Sequence, residues 1–211
     1  MTKGDFAYWW SVPGEWVESP NERRNGWSGM MRVPDGERVL YVKRQRNHLC
    51  RTLRHPFGWP TASREWLYLH RLHQLGVAAP VPVFHGVRRT PEGVEAVLVT
   101  EELVAYRALD DQHELEPASR ALLASEVGRM LGRLHGARLQ HSSLYGKHIM
   151  VCWDEGSPHA ALIDLEKMRP RLTRRLAADH DLEQLARRQQ VLKGEDWATL
   201  LRAHAESMAA V

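Results

Sequence analysis

The segment HSSLYGKHIM, residues 141–150, decides how the second half of this 211-residue chain is interpreted. It follows GRMLGRLHGARLQ (residues 128–140), which has the apolar spacing of a helix, and precedes VCWDEGSPHAALIDLE (residues 151–166), which has the pattern of a β-hairpin. A loop rich in His, Ser and Lys therefore lies between a helix and a hairpin whose second strand leads to Asp164. The loop and this carboxylate are candidates for catalytic and metal-binding positions.

The first half of the sequence has the pattern of a sheet that includes one helix. RVLYVKRQ (residues 38–45) alternates as a strand does and delivers Lys43 to one face. TASREWLYLHRLHQLG (residues 61–76) has possible caps in Thr61 or Ser63, apolar residues at helical spacing and a closing Gly76. The β-branched runs VPVFHGVRR and GVEAVLVTEEL, separated by the turn-forming TPEG, predict an antiparallel hairpin.

The rest of the second half is mostly helical. A long helix is predicted from Pro117 to Gly136, and a further helix begins at DHDLEQLARRQQVL, residues 179–192. The long helix should bury one apolar face, formed by Leu122, Leu123, Val127, Met130, Leu131 and Leu134. We therefore expect an α+β fold in which a sheet-rich N-terminal lobe, residues 1–103, precedes a compact and mostly helical C-terminal lobe, residues 104–211.

Composition limits the class of protein. Hydrophobic residues make up 43% and charged residues 26%, which is typical of a globular domain. The two cysteines are too few for a disulfide framework, and the start MTKGDFAYWWSVPGEW lacks the features of a signal peptide. No apolar run approaches the ~18 residues that span a bilayer. We expect a soluble, cytoplasmic protein whose N-terminal aromatic cluster (Phe6, Tyr8, Trp9 and Trp10) packs on its own domain.

The sequence from Val39 to Arg64 contains no Asp or Glu although the net charge of the chain is only +3. Its cations predict a local positive surface, and they are Lys43, Arg44, Arg46, Arg51, Arg54 and Arg64. Nucleic-acid binding is the rival interpretation, but aromatic residues do not alternate with the arginines and no nucleic-acid motif accompanies them. A zinc site at His48, Cys50 and His55 is disfavoured because a second ligand pair is missing.

Three segments together resemble the InaA/WaaP-type lipopolysaccharide kinase family, and its InaA branch most closely: KRQRNHLCRTLRHPFGWPTASREW, HSSLYGKHIM and LIDLEK. The resemblance extends from about Gly26 to Arg187. It implies a bilobal protein-kinase-like fold and an ATP- and Mg²⁺-dependent sugar kinase that acts on the lipopolysaccharide core at the cytoplasmic side of the inner membrane. The alternative is a pseudokinase that binds nucleotide or a partner without phosphoryl transfer.

On the nucleotide side, the resemblance implies that Lys43 neutralises ATP phosphates and that Glu65 holds its ammonium group. The plain alternative is a surface lysine and an exposed helical glutamate. Gly26 and Gly29, within NGWSGMM, stand where a glycine-rich loop covers the phosphates, although an ordinary hairpin turn explains them equally well. The resemblance also implies that VTEEL is the hinge, in which backbone groups from Glu101 to Leu103 would bind the adenine edge.

The resemblance also implies a metal position. Asp164 matches the Asp that holds Mg²⁺ against the phosphates, and its alternative role is a turn or helix-capping residue. His148 stands where protein kinases have an Asn ligand. Since imidazole is a poorer Mg²⁺ ligand than oxygen, His148 could instead bind a phosphate, orient the loop or be purely structural.

Ser143 is the main departure from the kinase pattern, because it occupies the position of the catalytic Asp. His141 could accept a proton or could pack beneath the loop, and Lys147 could stabilise charge on the transferring phosphoryl group. We expect Asp181 to brace the loop from below.

For the acceptor, the resemblance implies an anionic glycolipid or phosphorylated sugar bound by Arg46, Arg51 and Arg54, with peripheral contact to the inner membrane. The sequence carries no signal for an oligomeric state.

Overall fold

The computed structural model describes residues 4–23 and 26–211, and its chain divides into two compact units. Unit 1 comprises the chain up to His70 together with Pro80–Glu102, and unit 2 comprises Arg71–Ala79 together with Leu103–Val211. The secondary structure is a mixture of helices and antiparallel strands. No helix within the described residues is both long enough and apolar enough to cross a bilayer.

Unit 1 is built on a five-stranded antiparallel sheet with the order β1-β2-β3-β7-β6. Its strands are β1 (Glu15–Arg23), β2 (Gly26–Asp35), β3 (Arg38–Arg46), β6 (Pro82–Thr90) and β7 (Gly93–Glu101). A separate hairpin is formed by β4 (Leu49–Thr52) and β5 (His55–Pro60). The predicted strand at residues 38–45 and the predicted hairpin on either side of TPEG are confirmed. The β4–β5 hairpin was not predicted.

Two helices begin in unit 1. Helix α1 (Phe6–Ser11) is capped by Asp5, whose carboxylate accepts a hydrogen bond from Tyr8 N at 2.7 Å. Trp9 of α1 is 5% exposed and belongs to the core of the sheet, so the N-terminal aromatic residues pack on their own domain as expected. Helix α2 (Thr61–Gln74) confirms the predicted helix, although it follows β5 rather than β3, and Gly76 after it adopts a φ of +65°. Its first turn is joined to β3, because Gln45 Oε1 accepts a hydrogen bond from Ala62 N at 2.9 Å.

The helices of unit 2 are α3 (Pro117–Gly136), α4 (Arg174–Arg188) and α5 (Glu195–Ala209). Its strands are short: β8 (Arg107–Ala108), β9 (Leu139–Gln140), β10 (Ile149–Asp154), β11 (Ser157–Leu162) and β12 (Arg169–Pro170). Helix α3 has the predicted bounds, but Leu122 is 52% exposed and the prediction that it is buried was wrong. The periodic face of α3 turns Leu123, Val127 and Leu131 inward and leaves Leu122 one position out of phase.

Candidate active site

In unit 1, Lys43 forms the predicted ion pair with Glu65. Lys43 Nζ lies 2.6 Å from Glu65 Oε2, and the two residues are 6% and 7% exposed. Lys43 is on β3 and Glu65 is one turn into α2, so the bonds of Gln45 to the start of α2 fix the distance between strand and helix. A buried ion pair carries a large desolvation cost and is weak evidence for stability. The contact holds the ammonium group of Lys43 in one position.

The two glycines of the predicted phosphate loop lie in β2 and are both buried. A Cβ atom at Gly26 would come 2.5 Å from the carbonyl of Asn47, and one at Gly29 would come 2.7 Å from the ring of Trp16. Close approach of neighbouring strands is thus one reason for glycine at each position. Asn25, the first residue of the NGWSGMM motif, lies outside the described residues.

The predicted hinge begins at the end of β7. Glu101 N donates to Val81 O at 2.9 Å, and Glu102 N donates to Val39 O at 3.0 Å. The Glu101 carboxylate accepts from Arg38 at 2.8 Å. Two of the three backbone N–H groups in the stretch from Glu101 to Leu103 are therefore already engaged within unit 1.

The basic stretch does not form one surface. Side chains of successive residues in β3 point to opposite faces of the sheet, so Arg44 turns away from Lys43. Its guanidinium donates to Trp9 O at 2.9 Å, and burial lowers its pKa. Arg46 donates to Glu95 Oε1 at 2.7 and 3.0 Å and lies over the ring of Trp10. Arg51 and Arg54, on the β4–β5 hairpin, are exposed.

In unit 2, the loop that starts at His141 is held from below by Asp181, as expected. Asp181 is fully buried, and its carboxylate accepts hydrogen bonds from His141 N at 2.5 Å and from Ser142 N at 2.9 Å. Burial would raise the pKa of Asp181, but its interactions with His135 and His141 outweigh this and lower the pKa below the ordinary range. The carboxylate thus stays charged and fixes the backbone of the loop.

His141 is fully buried, and its Nε2 donates to Ile163 O at 2.9 Å. Burial lowers the pKa of this imidazole. A neutral ring that ties the loop to the segment before Asp164 agrees with the packing alternative rather than with proton transfer. Ser143 is 2% exposed, whereas Lys147 is exposed in a short 3₁₀ helix, Gly146–His148.

The side chains of His148 and Asp164, two potential metal ligands, lie close together. His148 Nδ1 lies 2.7 Å from Ser143 O, so Nδ1 must carry a hydrogen, since a carbonyl oxygen only accepts. Nε2 then faces Asp164 Oδ2 at 3.4 Å. Asp164 has a φ of +59° and lies two residues beyond the end of β11, in a left-handed conformation that few non-glycine residues adopt.

The Asp164 carboxylate fits a magnesium ion that phosphate oxygens also coordinate. Mg²⁺ usually takes one or two carboxylates from the protein and completes its shell with water and substrate phosphates. Asp164 supplies such a carboxylate, with His148 Nε2 beside it. No group of three or more His, Cys, Asp or Glu side chains in the described part of the chain could hold a metal ion without such additional ligands.

The model of the lipopolysaccharide kinase (Kdo/WaaP) family matches residues 7–204 of the chain. The chain belongs to this family. Protein InaA of Escherichia coli K12 is 37% identical over 199 residues, which cover 92% of each chain. The lipopolysaccharide core heptose(I) kinase WaaP of Pseudomonas aeruginosa is 34% identical over 101 residues, 44% of this chain and 38% of that protein.

A third Kdo/WaaP relative is the 3-deoxy-D-manno-octulosonic acid kinase of Xanthomonas campestris, 27% identical over 73% of this chain and 62% of that protein. The solved structure of WaaP in complex with acyl carrier protein has a TM-score of 0.74 at 24% identity and covers 95% of this chain and 82% of that one. The Rio2 kinase of Chaetomium thermophilum has a TM-score of 0.52 at 16% identity, over 93% and 68% of the two chains. The fold is therefore protein-kinase-like, and these relatives support a kinase of lipopolysaccharide type rather than the pseudokinase alternative.

Sequence reasoning missed a buried network behind the loop of this Kdo/WaaP-family protein. His135 of α3 bonds to Asp181 through Nε2 at 3.3 Å and to His204 of α5 through Nδ1 at 2.8 Å. Burial, and secondarily the charge of His135, lower the pKa of His204 to about 4. The available signal in the sequence was the spacing of Gly128, Gly132 and Gly136, which places three glycines on one face of α3. This face lies close to α5, because a Cβ atom at Gly132 would come 2.6 Å from the carbonyl of His204.

Proposed function

We propose that this protein transfers the γ-phosphoryl group of ATP to a sugar hydroxyl of the lipopolysaccharide core, with Mg²⁺ as cofactor. Membership of the Kdo/WaaP family supports the reaction class, and two relatives are named as kinases of core sugars. The buried Lys43–Glu65 pair carries the proposal, because its 2.6 Å contact holds an ammonium group in one position on a sheet. Such a fixed cation serves a polyanionic nucleotide.

ATP would be bound chiefly through its phosphates. Lys43 would neutralise them, and the β1–β2 hairpin with Gly26 and Gly29 would lie over them. The adenine edge would be bound by the carbonyl of Glu101 and the N–H of Leu103, since the N–H groups of Glu101 and Glu102 are used within the sheet.

Asp164, with His148 beside it, would hold the magnesium ion. The bound ion would supply charge neutralisation for the phosphates of ATP. His148 would also stabilise the loop, because its Nδ1–H bonds to Ser143 O at 2.7 Å. Lys147, which is exposed on the same loop, would stabilise charge on the transferring phosphoryl group.

Phosphoryl transfer would proceed without a strong general base. Ser143 has no carboxylate, and His141 is buried with its Nε2 engaged by Ile163 O. The loose transition state of phosphoryl transfer relies mainly on positioning and electrostatic stabilisation, and a base typically adds ~10²- to 10⁴-fold. A kinase with Ser143 at this position would thus be slow but active.

The acceptor would be an anionic glycolipid or its phosphorylated sugar, bound by the exposed Arg51 and Arg54. Arg46, predicted to join them, would contribute only if it leaves Glu95. Such an acceptor would place the enzyme at the cytoplasmic side of the inner membrane. Arg51→Ala with Arg54→Ala should weaken binding of the phosphorylated glycolipid and leave ATP affinity nearly unchanged, and equal loss of both in an intact fold would contradict this assignment.

The test is transfer of radiolabelled phosphate from ATP to purified, water-soluble core oligosaccharide. Wild type should label the acceptor in the presence of Mg²⁺, and Lys43→Met should abolish or strongly reduce labelling. Lys193→Met, at an exposed lysine, is the matched control and should behave as wild type. Normal nucleotide binding by wild type without transfer to any core acceptor would contradict the proposal.

A further inference from the structure

The tip of the β4–β5 hairpin projects two large apolar side chains into solvent. Leu53 has a relative exposure of 103% and Phe57 of 95%, the highest values for large apolar residues in the described part of the chain. Exposed leucines are ordinary when scattered, but two near-fully exposed large residues on one short hairpin are not. This tip is therefore a candidate interaction surface.

The same hairpin carries positive charge. Arg51 and Arg54 are exposed, and among residues 4–23 and 26–211 neither has an ion-pair partner. The chain from Val39 to Arg64 contains no acid, so no carboxylate of the hairpin itself offsets them. The tip thus combines apolar side chains with uncompensated cations.

The hairpin is held in shape by its own contacts. Thr52 Oγ1 accepts a hydrogen bond from His55 N at 3.1 Å, which closes the turn around Leu53 and Arg54. The rings of His55 and Trp59 stack at a centroid distance of 4.7 Å. A formed hairpin presents its tip without the entropic cost of ordering a loose loop.

We propose that the β4–β5 hairpin docks the protein on the surface of a bilayer that contains anionic phospholipids. Leu53 and Phe57 insert at the level of the headgroups and upper acyl chains, and Arg51 and Arg54 bind lipid phosphates. A second protein is a poorer occupant, because a stable interface buries about 800 Å² on each partner and two side chains cannot supply it. The proposal goes beyond the proposed function and does not depend on phosphoryl transfer.

The test is co-sedimentation of the full chain with phosphatidylcholine vesicles, with and without phosphatidylglycerol and free of glycolipid. Wild type should bind the anionic vesicles. Leu53→Ser with Phe57→Ser should weaken that binding about a hundredfold, as expected for two apolar side chains that no longer partition. Arg51→Gln with Arg54→Gln should weaken it about 30-fold on anionic vesicles and little on neutral ones.

Matched controls use exposed residues of unit 2. Val104→Ser with Leu172→Ser removes two apolar side chains that are 74% and 85% exposed, and Arg175→Gln with Arg187→Gln removes the same charge. Both should bind vesicles as wild type does. Because all these positions are exposed, urea unfolding should show little change for any variant.

Failure of wild type to sediment with anionic vesicles would overturn the proposal, as would unchanged binding by the Leu53/Phe57 variant. Binding of the wild type to an immobilised acidic protein, without binding to vesicles, would also overturn the proposal. The Leu53/Phe57 variant should still phosphorylate water-soluble core oligosaccharide at the wild-type rate. Absence of transfer by wild type would instead count against the proposed function and leave the vesicle result standing.

Discussion

Asp181→Asn should destabilise the fold by about 2–4 kcal/mol at neutral pH, because Asp181 is the anchor of the loop at His141. Its two oxygens accept from His141 N and Ser142 N, and hydrogen bonds to a charged group are worth ~1.5–3 kcal/mol each. Asparagine keeps one acceptor oxygen and points an NH₂ group at the other backbone N–H. One of the two backbone N–H groups is then buried without an acceptor, and the other donates to a neutral amide oxygen instead of a charged carboxylate.

Urea unfolding at pH 7 measures this loss, with Asp179→Asn as the control. Asp179 lies on the same helix, but its side chain is 64% exposed and pairs with an exposed Arg175, so its replacement should change stability by less than about 1 kcal/mol. The folded-state pKa of Asp181 is lowered, so its stabilisation is complete above the ordinary Asp pKa and is lost as pH falls through the folded value. The difference between wild type and Asp181→Asn should therefore shrink below about pH 4. Equal stabilities of the two asparagine variants at pH 7 would refute the anchoring role.

Three further changes test other parts of the site. Lys43→Met and Glu65→Gln should each lower ATP affinity or turnover, and the double variant should be no worse than either one; fully additive losses in calorimetry and kinetics would show that the pair does not act as a unit. The folded-state pKa of His204 is about 4, below its value in the unfolded chain, so the unfolded state binds more protons between about pH 4 and 6.5. The free energy of unfolding of the wild type should therefore fall by at most ~3 kcal/mol on acidification across this window. His204→Asn should flatten that slope in thermal melts, and an unchanged slope would exclude His204 as its source. Ser143→Ala should cost little turnover, whereas Ser143→Asp should raise it by at most ~10²- to 10⁴-fold; an inactive Ser143→Asp with normal nucleotide binding would argue for a binding module.

Local patterns in the sequence were sufficient to predict the strand and the helix that carry the Lys43–Glu65 ion pair. The alternation in β3 and the helical spacing of α2 placed Lys43 on a predicted strand and Glu65 on the next predicted helix, although the β4–β5 hairpin lies between the two elements. The same alternation also implies that Arg44 and Lys43 point to opposite faces of the sheet, although counting the positive charges along the sequence predicted one basic surface. Consecutive like charges in a strand are therefore divided between the two faces of the sheet.

Contacts between residues far apart in the chain could not be read in the same way. The bond of His135 to His204 spans 69 positions, and neither residue belongs to a local pattern. The β4–β5 hairpin lacked a signal because its turn, Leu53-Arg54, is not a sequence typical of two-residue turns. The brace by Asp181 was predicted only because the family resemblance supplied the partner.

Binding of a non-hydrolysable ATP analogue, measured by calorimetry with and without Mg²⁺ for wild type and Asp164→Ala, tests most directly whether the site is a magnesium-dependent nucleotide site. Wild type should bind the analogue more tightly with Mg²⁺, and Asp164→Ala should lose that enhancement, since it lacks the carboxylate that holds the ion beside the phosphates. Absence of nucleotide binding by wild type, or full retention of the magnesium enhancement in Asp164→Ala, would contradict this account of the site.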